Sequence, residues 1–437
     1  MGEKIYGLLG RKLGHSWSPV IHKALGCENY RLIQLEPEEL PVFLRREDIG
    51  GLNVTIPYKR DVMPLCDEID PGAEAIGSVN TLVRRNGRLY GYNTDIDGFL
   101  YMLRRARITL TDKKVLILGS GGASCTAQAA ARMENAGEIV VISRSGPDNY
   151  ENMDRHQDAQ ILINTTPVGM WPNVEDSPVD LLLFPVLEAV ADVIYNPCRT
   201  SLLLQAEALN RRRLLSEISK ENWQLPLPNA PVRGLGWTGG LPMLAAQAVA
   251  AEERFFDRCF PSDETERILT LLRPASCNLV LVGMPGCGKS TVGRVLSEKT
   301  GLPLVDLDAE IVRRAGCSIP ELFAKEGEAV FRDLESRVLA ETMSKTGQIV
   351  STGGGCVLRP ENRLTMRRSG RVYFLQRDLD ALPTSGRPLS QEGSLEEMYR
   401  VRLPSYNAAA DASILNNAPA EETAQEIWRD FCENSGD

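Results

Sequence analysis

The first 98 residues alternate short apolar runs with helical patterns. Three of the runs have the length and composition of strands, at 4–10, 31–37 and 51–57. Two more flank Asn86-Gly87, a dipeptide that favours a tight hairpin turn. A helical pattern follows at 97–107. This order predicts an α/β domain that contains a β-hairpin.

The next segment has the pattern of a parallel sheet. The run at 113–119 is apolar, β-branched and closed by glycine, as in a buried parallel strand. A helix at 123–135 and a strand at 138–144 complete a βαβ unit. Polar, turn-rich residues after Arg144 predict that the next helix is curtailed. Two further strands and a long Ala-rich helix are predicted at 159–166, 189–195 and 240–256.

A charged stretch at 261–276, flanked by Pro261 and Pro274, holds one short helical pattern and predicts a linker. Beyond it the pattern is again α/β. Core strands are predicted at 278–283, 303–308, 348–355 and 371–376. The two halves carry different glycine-rich loops, which indicates two separate sites on one chain.

Composition limits the kind of protein. The 437 residues suit about three domains, and 43% apolar residues suffice for buried cores. A net charge of −9 argues against a nucleic-acid partner, and no apolar run reaches the roughly 18 residues of a membrane helix. The N-terminus does not resemble a signal peptide. Ten cysteines without a CxxC pair are typical of reduced thiols, and three histidines are too few for a zinc site. We therefore expect a soluble, cytoplasmic protein with small-molecule partners.

The second half opens with a phosphate-binding loop. Residues 283–290 fit GxxxxGK[ST], directly after an apolar strand and before a helical pattern at 291–300. Lys289 would bridge the β- and γ-phosphates, and the Ser290 hydroxyl would ligate Mg²⁺. The loop predicts a site for ATP or a related nucleotide, with contacts from Gly283, Gly286, Gly288, Lys289, Ser290 and Thr291.

Candidates for the second substrate of this half follow the loop. Asp306 and Asp308 end a predicted strand at i, i+2, so both are expected on one face at the carboxyl edge of the sheet. Three glycines at 353–355 allow close approach of a small ligand. Arginines suited to carboxylates and phosphates stand at Arg332, Arg387 and Arg402.

Residues 277–417 resemble shikimate kinase, because the phosphate loop, DLD, FRDLE, STGGG, RPL and RLPSY follow in that family's order. The resemblance implies a three-layer α/β P-loop domain that phosphorylates shikimate with MgATP. The residues expected to hold shikimate are Asp308, Arg332, Gly354 and Arg402. Asp308 would orient the 3-hydroxyl and serve as base, and Asp306 would support Mg²⁺. Arg387 would reach the phosphates from a lid.

That lid departs from the family's pattern. The segment 378–389 is short, with no basic residue between Arg377 and Arg387. Since lid closure excludes water and often limits turnover, the departure predicts an effect on the kinase rate rather than on its identity.

The first half has a glycine loop of another kind. Gly119, Gly121 and Gly122, followed by Ala123, open a helix after a buried strand, close to the dinucleotide pattern but without the full GxGxxG. About twenty residues on, where an NAD site has an acidic residue, stands Ser143-Arg144-Ser145. A cation and two hydroxyls suit a 2′-phosphate and favour NADP. An ordinary surface role for the arginine is the alternative.

Catalytic candidates lie upstream of that loop. Lys59 follows a predicted strand, and Asp95 follows the hairpin. Hydride transfer to a ketone leaves an alkoxide that needs a proton. With histidines so few, a lysine paired with an aspartate is a suitable donor. Singly, Lys59 would be a surface charge and Asp95 a helix N-cap.

Residues 3–256 resemble shikimate dehydrogenase: GHSWSPVIHKA, NVTIPYK, AIGSVNTL, YNTDIDGF, GSGGAS, INTTPVGM, YNPCRTSLL and GGLPMLAAQA follow in the family's order. The resemblance implies NADPH-dependent reduction of 3-dehydroshikimate, with Lys59 and Asp95 as the catalytic pair. The residues expected to bind substrate are Ser16, Ser18, Thr55, Asn80, Tyr195 and Gln247. Of these, the two serines would bind the carboxylate. His15 and His22 are then expected to be structural.

The two resemblances predict a substrate-binding domain at 1–98 and 238–258, a Rossmann-like NADP-binding domain at 99–237, a linker at 259–276 and a P-loop kinase domain at 277–437. The predicted cofactors are NADP(H), ATP and Mg²⁺, and the predicted function is reduction of 3-dehydroshikimate followed by phosphorylation of shikimate. Two alternatives stay open: a quinate/shikimate dehydrogenase with a slow kinase, and a catalytically dead metabolite sensor. The presence of all the catalytic residues argues against the sensor.

Overall fold

The computed structural model describes residues 4–14, 16–220, 234–382 and 395–434, with the backbone alone at 215–220. Internal contacts divide the chain into two compact units, residues 1–195 with 200–269, and residues 196–199 with 270–437. The finer division of the first unit into a substrate domain and a nucleotide domain stays a prediction. In the described ranges, no helix is both long and apolar enough to span a membrane.

The first sheet has the order β2-β1-β3-β5-β6-β4. Its strands are β1 (Ile5–Gly10), β2 (Tyr30–Gln34), β3 (Ile49–Val54), β4 (Glu68–Ile69), β5 (Thr81–Arg85) and β6 (Arg88–Tyr92). The helices here are α1 (Ser18–Ala24), α2 (Leu40–Leu44), α3 (Pro71–Ile76) and α4 (Asp95–Arg105). Strand β1 is parallel to β2 and β3, whereas β5 is antiparallel to β3 and β6. The predicted hairpin is confirmed: Asn86 and Gly87 both have positive φ, as its two-residue turn requires.

The second sheet is entirely parallel, in the order β11-β10-β9-β7-β8. Its strands are β7 (Lys114–Leu118), β8 (Glu138–Ile142), β9 (Ile161–Asn164), β10 (Ala189–Asp192) and β11 (Gly236–Thr238). The helices that follow in the chain are α5 (Gly122–Met133), α6 (Ser201–Lys220) and α7 (Leu241–Phe256), of which α7 packs against α4 and α1. Only a short 3₁₀ turn at Met153–His156 lies between β8 and β9, which confirms the curtailed helix. Because β7 lies between β8 and β9, the loop after β7 is at a switch point, where α/β sheets bind ligands.

The predicted linker is largely helical. Helix α8 (Glu264–Ser276) forms there, and its Ile268 and Leu272 are buried. The sequence indicated one short helical pattern between prolines, but Pro274 lies inside the last turn of the helix. The boundary between the two compact units falls within this helix, after Leu269.

The second unit is built on a parallel sheet of order β13-β14-β12-β15-β16. Its strands are β12 (Asn278–Val282), β13 (Leu304–Asp306), β14 (Ile349–Ser351), β15 (Gly370–Gln376) and β16 (Ala412–Leu415). The helices are α9 (Lys289–Thr300), α10 (Leu307–Ala315), α11 (Ile319–Met343), α12 (Pro360–Ser369), α13 (Leu395–Ala409) and α14 (Ala420–Asn434). Every residue of β12 is buried, as expected of a central parallel strand covered on both faces. Helix α11 is kinked at Gly327, whose φ is 82°.

Two candidate active sites

The structure brings the predicted catalytic pair of the first unit together. Lys59 lies in the turn after β3, and Asp95 is the first residue of α4. Lys59 Nζ donates to Asp95 Oδ2 over 2.5 Å, with the two side chains 22% and 12% exposed. A carboxylate so placed holds the ammonium in one orientation while leaving it accessible to a substrate.

The other oxygen of Asp95 is also fixed. Asn80 Nδ2 donates to Asp95 Oδ1 over 2.8 Å, while Asn80 Oδ1 accepts from the Thr94 amide at 2.7 Å and from Thr81 Oγ1 at 3.0 Å. These contacts are buried and define which way the Asn80 amide points. The orientation of the Asp95 carboxylate toward Lys59 is therefore fixed by hydrogen bonds from neutral groups.

The side chains proposed to bind substrate come from three parts of the first unit: α1, the end of β3 and the end of β10. Ser18 begins α1 and is buried, and its amide donates to Ser16 Oγ over 3.2 Å. Thr55 follows β3 directly, four residues before Lys59. Tyr195 follows β10, and burial raises the pKa of its phenol, which is therefore neutral at neutral pH. His15 lies outside the described residues.

Gln247 is placed by the packing of α7 against α4. A Cβ added to Gly98 on α4 would lie 2.5 Å from the Met243 carbonyl oxygen and 2.9 Å from Gln247 Cβ. Only glycine permits this approach of the two helices. Since Gly98 is one turn from Asp95, the packing brings Gln247 to the end of α4 that carries the predicted catalytic carboxylate.

The dinucleotide-type loop lies beside the pair. Gly119 has φ 107°, a conformation that other residues adopt only with strain. Gly121 caps α5, and the space where its side chain would stand is open. A Cβ added to Gly122 would lie 4.0 Å from Lys59 Cδ. A dinucleotide whose pyrophosphate binds at this helix N-terminus would therefore be next to the lysine.

The residues after β8 adjoin the same loop. The Gly119 amide donates to the Ile142 carbonyl oxygen over 2.8 Å. Ser143 and Arg144 follow Ile142 in the chain and therefore start next to the first residue of the glycine loop. Ser143 is half-buried and Arg144 is exposed. An exposed guanidinium and a hydroxyl at this position fit the 2′-phosphate of NADP.

In the second unit, the phosphate loop holds its own lysine. Gly283, Gly286 and Gly288 all have positive φ. Lys289, buried at the start of α9, donates from Nζ to the carbonyl oxygens of Gly283 and Met284, each over 3.0 Å. The ammonium is thus held by main-chain acceptors within the loop.

A hydroxyl and a carboxylate meet at the end of that loop. Ser290 Oγ donates to Asp306 Oδ2 over 2.7 Å and lies 3.3 Å from Ser351 Oγ. These hard oxygen donors fit Mg²⁺, which takes one or two protein ligands and completes its shell with water and phosphate.

The two aspartates do not share a strand face, and that prediction was wrong. Strand β13 ends at Asp306, whose Oδ1 accepts from the amides of Asp308 and Ala309 and so caps α10. Asp308 consequently lies in the first helical turn. Both still line one cleft of about 570 Å³.

A buried arginine, Arg332, also lines this cleft. Arg332 Nη1 donates to Glu335 Oε2 over 2.7 Å. A Cβ added to Gly355 would lie 2.5 Å from the guanidinium nitrogens, and one added to Gly353 would lie 2.7 Å from Asp308 Oδ1. Two of the three consecutive glycines therefore make room for charged side chains of the site.

Glu335 was not predicted as a site residue. Burial raises the pKa of its carboxyl, while Arg332 opposes the rise. The sequence feature that could have identified Glu335 is its i, i+3 spacing from Arg332 on one helix.

The remaining predicted residues of the cleft are placed as follows. Arg402 on α13 lines the cleft, as do Gly286, Gly288 and Thr291. Gly354 also lines it, and its carbonyl oxygen accepts from the Tyr406 hydroxyl over 2.6 Å. Arg387 and the rest of the segment 383–394 lie outside the described residues.

Two family models match the chain. The shikimate dehydrogenase substrate binding domain matches residues 8–82, and the shikimate kinase family matches residues 285–432. The shikimate dehydrogenase (NADP(+)) of Geobacillus sp. (strain WCH70) is 37% identical over 235 residues, which cover 48% of this chain and 85% of that relative.

Solved structures match the same part of the chain. A chorismate mutase/shikimate 5-dehydrogenase fusion protein from Clostridium acetobutylicum is 32% identical, with a TM-score of 0.54 over 62% of this chain and 98% of the other. Shikimate 5-dehydrogenase from Thermus thermophilus, solved with NADP(H) and shikimate, is 29% identical, with a TM-score of 0.50 over 61% of this chain and 98% of the other.

Proposed function

The chain belongs to the shikimate dehydrogenase family and carries a shikimate kinase domain, and from this premise we propose that it catalyses two consecutive reactions. The first unit reduces 3-dehydroshikimate to shikimate with NADPH. The second unit transfers the γ-phosphoryl group of MgATP to shikimate, giving shikimate 3-phosphate. The observation that carries the proposal is the 2.5 Å contact of Lys59 with Asp95 beside Gly122 of the dinucleotide loop.

In the first reaction, the loop Gly119–Gly122 would hold NADPH, which would supply a hydride for the ketone carbon. The ketone oxygen then gains negative charge and takes a proton from the Lys59 ammonium. Asp95 holds the ammonium in place, and Asn80 keeps the Asp95 carboxylate oriented. In the oxidation of shikimate, Lys59 accepts the hydroxyl proton instead.

The substrate lies between α1 and α7 in this proposal. The hydroxyls of Ser16 and Ser18 bind its carboxylate, and Gln247 binds hydroxyls at the other end. Thr55, Asn80 and Tyr195 complete the set of donors and acceptors. Arg144 and Ser143 bind the 2′-phosphate, which accounts for use of NADP rather than NAD.

In the second reaction, Asp308 accepts a hydrogen bond from the 3-hydroxyl of shikimate and takes its proton as the phosphoryl group arrives. The guanidinium groups of Arg332 and Arg402 bind the carboxylate. Lys289 would exchange its loop carbonyls for phosphate oxygens, and Ser290 and Asp306 would hold Mg²⁺, which would neutralise charge on the phosphates. Most of the rate enhancement comes from this positioning and charge neutralisation.

Initial rates of the full chain test the proposal. With 3-dehydroshikimate and NADPH, absorbance at the nicotinamide band should fall, and with shikimate and MgATP, ADP should form. In the oxidation direction, with NADP⁺ as hydride acceptor, quinate replaces shikimate as the competing substrate. In the reduction direction, NADH replaces NADPH as the competing cofactor. Faster turnover of quinate than of shikimate would make quinate the preferred substrate. Equal rates with NADH and NADPH would contradict the proposed use of NADP. Ligand binding without turnover in either assay would favour a metabolite sensor.

A further inference from the structure

Helices α1 and α7 are joined by a buried hydrogen bond between His22 and Glu252 that no step of the proposed reaction uses. His22 Nδ1 lies 2.6 Å from Glu252 Oε1, and both side chains are fully buried. His22 is on α1, one turn after Ser18, and Glu252 is on α7, five residues after Gln247. The pair thus links the helix at the proposed carboxylate end of the substrate site to the helix at its hydroxyl end.

The charge state of the pair follows from its burial. Burial lowers the pKa of His22, against the opposing effect of Glu252. At neutral pH the imidazole is therefore neutral, and its Nδ1–H donates to the carboxylate. Removing a carboxylate from water is costly, and an apolar pair of similar volume is often as stable as a buried polar one. Stability alone is therefore a poor explanation for this pair.

A second contact ties Glu252 to the end of α1. Arg258 Nη2 donates to the Leu25 carbonyl oxygen over 2.6 Å and lies 3.3 Å from Glu252 Oε2. Leu25 is the C-cap of α1. Both oxygens of Glu252 are thus engaged by groups that fix α1, one through a side chain and one through an arginine bridge.

The imidazole also reaches the strand that leads to the catalytic lysine. The His22 and Tyr30 rings stack with centroids 3.8 Å apart and an interplanar angle of 4°. The Tyr30 hydroxyl donates to Asn53 Oδ1 over 2.8 Å. Asn53 lies on β3, two residues before Thr55 and six before Lys59, and both Tyr30 and Asn53 are buried.

We propose that the His22–Glu252 hydrogen bond sets the position of α1 against α7 and so fixes the distance between the two ends of the substrate site. The inference rests on the proposed dehydrogenase function. Since neither residue touches a reacting atom, both are positioning residues. Their loss should raise KM for shikimate and leave kcat, the KM for NADP and the kinase rate nearly unchanged.

Two variants at one position separate the hydrogen bond from the packing. His22→Asn keeps a donor where Nδ1 stands but loses the ring that stacks on Tyr30. His22→Phe keeps the ring and loses the donor. Steady-state shikimate oxidation by the full chain should show KM for shikimate about tenfold higher in His22→Phe, because small displacements of binding groups weaken substrate contacts. In His22→Asn it should stay within about twofold, even where thermal stability falls. Lys23→Ala, next to His22 on the exposed side of α1, is the control and should match the wild type.

Equal KM values in the two His22 variants, or a KM that follows melting temperature across the set, would overturn the inference. Should His22→Phe fail to fold, the double variant His22→Phe/Glu252→Met removes the buried charge as well. This double variant should fold with a restored melting temperature. A KM for shikimate that is still about tenfold higher would support the positioning role of the hydrogen bond. A KM equal to that of the wild type would refute it. A wild-type chain that does not oxidise shikimate overturns the proposed function, and the inference falls with it.

Discussion

The two lysines proposed for the active sites are held in different ways. Lys59 of the dehydrogenase site donates to the Asp95 carboxylate, which comes from another element. Lys289 of the kinase site donates to the carbonyl oxygens of its own loop, Gly283 and Met284. Two carboxylates of the kinase cleft are engaged by other side chains, Asp306 by Ser290 and Glu335 by Arg332.

The difference agrees with the role proposed for each lysine. A proton donor must keep one orientation and a nearby negative charge through the reaction, so a fixed carboxylate partner suits it. A phosphate-binding lysine must leave its partner when the nucleotide arrives, and a carboxylate would compete with the phosphate for it. Neutral carbonyl acceptors hold the ammonium with less competition.

Removal of Lys59 should have the largest effect. We expect Lys59→Ala to lower kcat for shikimate oxidation about 10³-fold, since the proton donor is lost. Kinase turnover should stay within about twofold, because Lys59 is not part of that cleft. Lys113→Ala breaks another lysine–carboxylate contact of the first unit, 2.8 Å from Glu188, and should leave both rates unchanged. Comparable loss of both activities in Lys59→Ala would show that the sites are coupled.

The matching change in the kinase is Lys289→Ala. Loss of one cation at the phosphates should lower kcat for ADP formation by about 10²-fold or more, and shikimate oxidation should be unaffected. Lys299→Ala, at the other end of α9, is the control. Substantial phosphorylation by Lys289→Ala would contradict the assignment of the phosphate loop.

The two carboxylates that pair with Arg332 offer a sharper comparison. Glu335 is buried and lies 2.7 Å from the guanidinium, whereas Glu328 is 58% exposed and lies 3.2 Å away. We expect Glu335→Gln to raise the kinase KM for shikimate about tenfold, since a buried charged partner orients the arginine. Glu328→Gln should change it less than about twofold, because exposed pairs contribute little. Equal increases in KM for the two variants would show that burial of the carboxylate does not determine how strongly it orients Arg332.

Arg144 tests the choice of dinucleotide. Arg144→Ala should raise KM for NADP about tenfold and leave KM for NAD unchanged, because only NADP carries the 2′-phosphate. Exposed Arg132 on α5 provides the control substitution. An equal change for both dinucleotides would mean that Arg144 does not contact the 2′-phosphate.

The smallest effect concerns a carboxylate held by neutral donors. Asp192 accepts from Thr200, Asn164 and the Ile194 amide, and burial raises its pKa from 3.8 to about 6. The folded state therefore binds this proton more tightly than the unfolded state does, so the group's contribution to stability is greatest below pH 4 and falls as pH rises to 6.

Asp192→Asn removes that pH dependence. Relative to the wild type, the variant should gain about 1 kcal/mol in free energy of unfolding between pH 5 and pH 7. Urea titrations of the full chain at pH 5, 6 and 7 measure it. A difference that does not change with pH would mean that the pKa of Asp192 in the folded state is not raised.

The sequence predicted those parts of the fold and site that depend on local pattern. The strands, the Asn86-Gly87 hairpin and the two glycine loops are encoded in short stretches, and so is the placement of Lys59 at a strand end. What it missed depends on tertiary surroundings. From the sequence alone Glu335 would be interpreted as an exposed charge, because its burial against Arg332 is a property of the tertiary structure. Asp308 was misplaced because capping of α10 by Asp306 outweighed continuation of a short strand.

Local pattern was also too weak at two further places. Strand β4 has two residues, which is too short for any alternation to show. The stretch 261–276 is predicted to be a linker with one short helical pattern, because its prolines and charges are typical of connections. The structure forms the 13-residue helix α8 there, and the burial of Ile268 and Leu272 was not apparent from that pattern.

The central claim is that two separate sites on one chain act in series. One reaction tests it most directly: the full chain with 3-dehydroshikimate, NADPH and MgATP, with products resolved by mass. We expect shikimate 3-phosphate, formed with one NADPH oxidised and one ADP released per molecule. Shikimate that accumulates without phosphorylation, or absence of NADPH oxidation, would contradict the account.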